Sequence, residues 1–210
     1  MVGVIEYDAG NISSVMRALE YLGEKPELTN DKERLKKCDR IVFPGVGAYY
    51  TAMESLKKSS LVGTIKDIIN AGTPFLGICL GQQLLFDESD EVIGSPDPEV
   101  SKIEGLMILK GSIRRFTEKE GYKIPHMGWN SLQLQKKDSR LFEGIDDGSF
   151  VYFVHSYYLE AGDSTVVAAK TEYINTFDSA VEKDNIFACQ FHPEKSGEVG
   201  LEILKNFCRT

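Results

Sequence analysis

The segment from Gly77 to Gly81 reads Gly-Ile-Cys-Leu-Gly and places Cys79 between small residues. It follows an apolar run typical of a buried strand and opens a stretch with helical spacing. This is the context of a nucleophile elbow of the G-x-S-x-G type, with sulfur in place of oxygen. The strained turn needs small neighbours, and the start of the following helix favours a thiolate. The segment therefore predicts a nucleophilic cysteine, the alternative being an inert cysteine at the end of a core strand.

A second candidate lies in the segment Gln-Phe-His-Pro-Glu at 190–194, which contains His192 and Glu194. In an extended segment, residues two apart project to the same face, so the carboxylate can lie beside the imidazole. A histidine that moves a proton and a carboxylate that orients it are the partners that a cysteine nucleophile requires. Alone, the pair also fits a structural hydrogen bond. Together with Cys79 it predicts a Cys-His-Glu triad, whereas Cys189 is expected to face the core.

A third segment, Pro44–Gly47, reads Pro-Gly-Val-Gly after a predicted strand. Two glycines around one residue allow backbone N–H groups to turn toward a ligand, as an oxyanion hole requires. The alternative is an ordinary strand-to-helix turn. The segment is not a dinucleotide fingerprint, because Tyr50 occupies the position where G-x-G-x-x-G needs its third glycine.

Alternating strands and helices must position these segments. Apolar spacing in the first half predicts strands at 2–7, 41–43 and 74–79, with helical segments at 12–22, up to 69 and at 80–86. The second half predicts strands at 104–109, 112–116, 130–134, 150–159, 165–171, 179–181 and 186–191, and a final helix around 199–208. Such alternation favours an α/β fold, a doubly wound and mostly parallel sheet with an antiparallel extension.

Composition excludes several other classes of protein. The 210 residues include 42% hydrophobic residues and carry a formal net charge of −8. These values argue against disorder and against general nucleic-acid binding. No apolar run is long enough for a membrane span, and no signal peptide is visible, so a soluble cytoplasmic protein is expected. The cysteines and histidines lack zinc-site spacing, so no metal site is expected.

Several motifs resemble those of a known family. The segments PGVG at 44–47, GICLGQQLLF at 77–86 and QFHPEKSG at 190–197 resemble the class I (triad) glutamine amidotransferases, and KIPHMGWN at 123–130 and FVHSYY at 153–158 resemble, more narrowly, the glutaminase subunits of imidazole glycerol phosphate synthases. The resemblance runs from Ile5 to Phe207. It implies a flavodoxin-like core and a single domain over residues 1–210.

The resemblance also implies the reaction, the hydrolysis of L-glutamine to glutamate and ammonia without a metal or organic cofactor. Cys79 would attack the amide carbon, His192 would transfer protons and Glu194 would hold the imidazole. The backbone N–H groups of Leu80 and Val46 would form the oxyanion hole. The substrate-binding residues implied by the family are Gly47, Gln83, Glu91, Ser156 and Tyr157.

A partner follows from the same resemblance. In that family the ammonia passes to a (β/α)8-barrel synthase subunit in a heterodimer, which makes imidazole glycerol phosphate and an aminoimidazole carboxamide ribotide in histidine biosynthesis. The positions expected near this partner are Asn11, Met127, Trp129, Asn130, Tyr152 and Lys195. For Trp129, a core position is the alternative.

Three positions depart from the family pattern: Asp8 replaces a glycine, Gln82 replaces a common methionine, and Gly197 replaces a common glutamine. They leave room for a paralogous glutaminase that feeds a sugar-amidating or other synthase. A non-catalytic regulatory module of the same fold is a further alternative, which the intact triad and elbow glycines disfavour.

Overall fold

The computed structural model describes residues 1–7 and 12–210. Asp8 and Asn11, on which two of the sequence expectations fall, lie outside the described residues. The helices are α1 (Ile12–Tyr21), α2 (Lys32–Leu35), α3 (Tyr49–Lys58), α4 (Leu61–Asn70), α5 (Leu80–Leu84) and α6 (Gly197–Arg209). The strands are β1 (Val2–Ile5), β2 (Pro26–Thr29), β3 (Arg40–Gly45), β4 (Phe75–Cys79), β5 (Glu88–Ser89), β6 (Ile103–Glu104), β7 (Gly111–Arg115), β8 (His126–Ser131), β9 (Gln133–Leu134), β10 (Phe150–His155), β11 (Tyr157–Ala161), β12 (Val167–Glu172), β13 (Thr176–Lys183) and β14 (Ile186–Cys189).

The main sheet has eight strands in the order β2-β1-β3-β4-β14-β13-β12-β9. Its first five strands pair in parallel, and β14, β13, β12 and β9 then pair in antiparallel fashion. This order is that of a flavodoxin-like sheet with an antiparallel extension. The predicted fold class is confirmed.

Alternate residues of the central strands point to opposite faces of the sheet, and each face has its own hydrophobic core. On one face, Phe43 and Phe75 pack with residues of α3 and α4. On the other, Val42 and Leu76 pack with residues of α1 and α6. The parallel strands are therefore covered on both faces, as their continuous apolar runs require.

Two smaller sheets lie beside the main one. Strands β8 and β10 form an antiparallel pair, and β11, β7, β5 and β6 form a four-stranded sheet. In the β8–β10 pair, Trp129 lies opposite Tyr152 and Met127 opposite Val154, so these four side chains share one face. His126 lies opposite His155.

Three predicted strands differ from the structure, and strand β2 was not predicted. The strand expected at 130–134 is interrupted at Leu132, between β8 and β9. The strand expected at 104–109 ends at Glu104, because the backbone N–H groups of residues 106–109 donate to carbonyls at the end of α5. The strand expected at 150–159 breaks at Ser156, where the chain leaves one small sheet and enters another. Strand β2 has no counterpart among the predictions, because this edge strand has only four residues, begins with a proline and contains a single aliphatic residue, Leu28.

Among residues 1–7 and 12–210, no helix combines the length and the apolar character needed to cross a bilayer.

Candidate active site

Cys79 lies at the junction of a buried strand and a helix. It is the last residue of β4, and α5 begins with Leu80. Its backbone has φ 55° and ψ −109°, outside the regions that L residues usually occupy. Such a conformation costs about 1–3 kcal/mol and is typical of functional sites. The geometry is that of the predicted elbow.

The two elbow glycines are required by close packing. A Cβ atom at Gly81 would lie 1.8 Å from the carbonyl oxygen of Phe43, and one at Gly77 would lie 2.8 Å from the carbonyl oxygen of Gly81. The first oxygen belongs to β3 and the second to α5, so neither can move without disturbing a strand or a helix. The turn that presents Cys79 therefore depends on both glycines.

His192 and Glu194 lie beside each other just after β14, the strand next to β4. His192 Nδ1 lies 2.8 Å from Glu194 Oε1, and the exposed fractions of the two side chains are 3% and 2%. The short 3₁₀ turn Pro193–Lys195 brings the carboxylate to the Nδ1 edge of the ring. Because a carboxylate accepts at this contact, Nδ1 carries a hydrogen and Nε2 is left for the cavity.

The pKa of His192 is set by opposing effects. Burial alone would lower it, but the charge interaction with Cys79, and then the hydrogen bond and charge of Glu194, raise the pKa to about 10. The imidazole therefore holds a proton firmly at neutral pH. This is the state expected of an acid that serves a sulfur nucleophile.

These side chains line a cavity of about 320 Å³. This volume lies at the small end of the range for small-molecule sites. Of the residues expected in the site, the cavity lining includes Val46, Gly47, Cys79, Leu80, Gln83, Glu91, Ser156, Tyr157 and His192. Glu194 lies behind His192, against Nδ1.

Glu91 brings a carboxylate into this cavity. Burial raises its pKa, and the backbone N–H of Tyr49, at 3.3 Å, partly offsets that effect. No cation forms an ion pair with Glu91 within residues 1–7 and 12–210. The carboxylate is therefore suited to a ligand that carries a positive charge.

Sequence reasoning missed two residues near the cavity. Gln190 is fully buried, and its Nε2 lies 3.7 Å from the sulfur of Cys79. His155 lines the cavity, and its Nδ1 lies 2.8 Å from the carbonyl oxygen of Tyr157. The spacing of two between Gln190 and His192 is the signal that could have revealed the first. His155 lies in the segment FVHSYY at 153–158, but nothing in the spacing of that segment marks the role of the histidine.

The residues expected near a partner have mixed exposure. Met127 and Trp129 are 62% and 55% exposed, which rules out a core position for Trp129. Tyr152 and Lys195 are half-buried. Tyr152 packs edge-on against Trp129, and its carbonyl accepts a hydrogen bond from the backbone N–H of His192 at 2.9 Å. This exposed aromatic face therefore lies directly behind the candidate acid.

Asn130, also expected near the partner, is half-buried and donates through Nδ2 to the carbonyl of Glu172 at 2.8 Å. In the part of the chain that the structure describes, no cluster of side chains has the make-up of a metal site.

Comparisons with known proteins agree with this geometry. Residues 4–210 match the family model described as "Glutamine amidotransferase class-I". The chain is 49% identical over 207 residues to "Imidazole glycerol phosphate synthase subunit HisH" of Methanocaldococcus jannaschii, covering 99% of this chain and 98% of the relative. A HisH subunit of Caldanaerobacter subterraneus subsp. tengcongensis is 47% identical, and the alignment covers 99% of this chain and 97% of the relative.

Solved structures support the fold. A structure described as "glutamine amidotransferase" superimposes with a TM-score of 0.71 at 19% identity and covers 99% of this chain and 98% of its own. The structure of PurLQS from Thermotoga maritima gives a TM-score of 0.71 at 20% identity, with 99% and 97% covered. The chain belongs to the class-I glutamine amidotransferase family and, within it, to the HisH subunits of imidazole glycerol phosphate synthase.

Proposed function

We propose that this chain is the glutaminase subunit of an imidazole glycerol phosphate synthase, which hydrolyses L-glutamine and supplies ammonia to histidine biosynthesis. The observation that carries the proposal is that Cys79, His192, Gln83 and Glu91 line one cavity of about 320 Å³, with Glu194 bonded to His192. The family membership supplies the substrate class.

In the proposed reaction, the sulfur of Cys79 attacks the carbon of the glutamine side-chain amide. His192 holds the proton that leaves the thiol and donates it to the departing ammonia, which gives a thioester. Water then attacks the thioester while His192 accepts its proton, and glutamate leaves. Glu194 orients the ring and stabilises its positive charge, a role supported by the 2.8 Å contact.

The negative oxygen of the tetrahedral intermediate needs donors. Leu80 is the first residue of α5, so the helix itself does not use its backbone N–H. Val46 lies across the cavity in the Pro44–Gly47 segment, and we assign its N–H as the second donor. One such donor typically lowers the activation barrier by about 3 kcal/mol. Rotation of the peptide group that carries the Val46 N–H would therefore switch the rate of glutamine hydrolysis.

The substrate would be held at its other end by charge and backbone contacts. The carboxylate of Glu91 would bind the α-ammonium group, together with the side chain of Gln83. The backbone of Ser156 and Tyr157 and the segment at Gly47 would hold the α-carboxylate. The raised pKa of Glu91 supports this assignment, because an incoming ammonium removes the cost of its buried charge.

The partner in this proposal is a (β/α)8-barrel synthase subunit, docked on the exposed face of β8 and β10. Met127 and Trp129 expose large apolar side chains there, and aromatic anchors of this kind dominate stable interfaces. Val154 shares that face and also lines the cavity. Ammonia would therefore have a short route from the site to the partner.

We place the reaction in the cytoplasm and treat residues 1–210 as one domain. All four cysteines are free thiols, the state that a reducing compartment maintains. The main sheet takes strands from residue 2 to residue 189, which supports one folding unit.

Glutamate release from glutamine tests the proposal, measured with and without the barrel subunit and its nucleotide ligand. We expect slow turnover by the isolated chain, much faster turnover in the liganded complex, and loss of both in Cys79→Ala. Cys38→Ala is the matched control, because this cysteine is also buried, packs against Gly3 of β1 and is not among the residues that line the cavity.

If Cys79→Ala released glutamate as fast as the native chain, Cys79 would not be the nucleophile of a catalytic triad. Rapid turnover without any partner would contradict the coupling. Turnover that responds to a sugar-modifying barrel, and not to the histidine-pathway barrel, would favour the paralogous function.

A further inference from the structure

Gln190 is a fully buried amide whose two ends contact two different parts of the candidate site. Its Oε1 accepts a hydrogen bond from Gln83 Nε2 at 2.9 Å, and its Nε2 points at the sulfur of Cys79 at 3.7 Å. The large majority of buried polar groups in proteins are hydrogen-bonded. Gln190 therefore fits its position only if Gln83 donates and the sulfur accepts.

The orientation of the Gln83 amide follows from counting hydrogens. Gln83 Nε2 carries two hydrogens and lies 3.0 Å from the carbonyl oxygen of Tyr157 as well as 2.9 Å from Gln190 Oε1. Both partners accept, so a flipped amide would place oxygen against oxygen. Gln83 Oε1 is consequently the atom left to face the cavity.

The Tyr157 carbonyl is itself held in place by a chain of histidines. It accepts from His155 Nδ1 at 2.8 Å, so His155 Nε2 must accept from His126 Nδ1 at 3.0 Å. His126 Nε2 then accepts from Asn130 Nδ2 at 3.2 Å. Each histidine tautomer in this series of hydrogen bonds is determined by the neighbouring side chain. The series ends at the Tyr157 carbonyl oxygen, which accepts from both His155 and Gln83.

We infer that Gln190 is a positioning residue that fixes the Gln83 amide with its oxygen toward the ligand and holds the Cys79 sulfur as a hydrogen-bond acceptor. This inference rests on the proposed glutaminase function. With Glu91, the Gln83 oxygen makes one end of the cavity rich in acceptors. The cavity therefore discriminates for a ligand with an α-ammonium group, and Gln190 maintains that discrimination.

Two substitutions separate the two contacts. Gln190→Met keeps the length of the side chain and removes both hydrogen bonds. Gln190→Glu keeps the acceptor for Gln83 and removes the donor to sulfur. Gln82→Met is the matched control, because Gln82 is also a fully buried glutamine but makes no side-chain hydrogen bond within residues 1–7 and 12–210.

Steady-state kinetics of the complex with the barrel subunit provide the first measurement. We expect Gln190→Met to raise KM for glutamine about tenfold, the cost of one lost hydrogen bond, with a smaller change in kcat. The inhibition constant of glutaramate, which lacks the α-amino group, should stay unchanged. Gln190→Glu should keep KM near the native value and lower kcat. Equal rises in KM and in the glutaramate constant would overturn the inference.

Alkylation of Cys79 by iodoacetamide, followed by mass spectrometry across a pH series, needs no turnover. Both Gln190 variants should slow alkylation several-fold across the series, because the sulfur loses a hydrogen-bond donor that favours the reactive thiolate. An unchanged profile, or an equal slowing in Gln82→Met, would overturn the inference. If the native complex releases no glutamate, the proposed function fails by itself, and the alkylation profile still decides the role of Gln190.

Discussion

His192 and His155 line the same cavity, yet their pKa values are shifted in opposite directions. The pKa of His192 is raised to about 10, and that of His155 is lowered to about 3. Burial acts on both in the same direction, because removal from water disfavours the charged imidazolium. The partners make the difference: His192 has the Glu194 carboxylate and the Cys79 sulfur, whereas His155 has a backbone carbonyl and the ring of His126.

Because burial is common to both histidines, the charge of the partner decides what each of them can do. His192 holds a proton at neutral pH and can deliver it to a leaving group. His155 stays neutral among the rings of Phe116 and Phe153, at 5.4 and 5.6 Å, and can only orient a hydrogen bond. One histidine is suited to chemistry and the other to positioning.

Glu194→Gln should have the largest effect, because it removes one of the two charges that raise the pKa of His192 and leaves that of Cys79. The glutamine oxygen can still accept from Nδ1, so the substitution removes the charge and keeps the contact. We expect kcat to fall about 10²-fold or more, the usual contribution of a positioned acid–base pair. The pKa of His192 should drop, so the alkaline limb of the rate profile should move from near pH 10 to lower pH.

The pH dependence of kcat/KM in the complex checks this prediction. Glu202→Gln is the control, since that carboxylate pairs with Lys205 on the exposed side of α6 and should leave the profile unchanged. An alkaline limb that stays in place in Glu194→Gln would show that the charge of Glu194 does not support His192.

His155→Asn should have a smaller effect, a change in how the free energy of unfolding depends on pH. The folded pKa of His155 is about 3, and the unfolded value is near 6.5, so the unfolded chain binds more protons between these values. Stability therefore falls as the pH drops below 6.5. At pH 5 this single group costs about 2 kcal/mol, a cost that asparagine does not carry.

Urea unfolding at pH 7 and pH 5 measures the effect. The native chain should lose about 2 kcal/mol more than His155→Asn over this interval, whatever the absolute stability of the variant at pH 7. Part of the slope should remain, because burial also lowers the pKa of His126, to about 4. Identical losses in both chains would contradict the neutral state of His155.

The sequence was sufficient for those parts of the fold that depend on local pattern. Apolar runs and glycine stops predicted β4, α5 and a mostly parallel sheet around them, because buried parallel strands are continuous in their apolar residues. Strand β2 was missed since a polar edge strand has no such run. The strand expected at 104–109 was wrong, because those N–H groups bond to the end of α5, a contact distant in sequence.

In the candidate site, too, residues in local motifs could be predicted, whereas residues that depend on contacts distant in sequence could not. The positions of Cys79, His192 and Glu194 could be predicted because each lies in a short motif at the end of a strand. Their catalytic roles remain a proposal, as do the roles of the substrate and partner residues. His155 could not be found, since its importance comes from the carbonyl of Tyr157 and the ring of His126, which the sheets bring together.

Gln82 extends the comparison to a buried polar group without a hydrogen-bond partner in the part of the chain that the structure describes, and Gln82→Met should have the smallest effect. Its side chain is fully buried on α5, and neither its nitrogen nor its oxygen has a hydrogen-bond partner within residues 1–7 and 12–210. A buried unpaired amide costs about 1–3 kcal/mol, and methionine fills nearly the same volume without polar atoms. We therefore expect the free energy of unfolding in urea to rise by about 1 kcal/mol at pH 7 and at pH 5 alike, because no titrating group is involved. A loss of stability in Gln82→Met would mean that the amide is satisfied in solution, and the rule drawn from the two histidines would then not extend to neutral side chains.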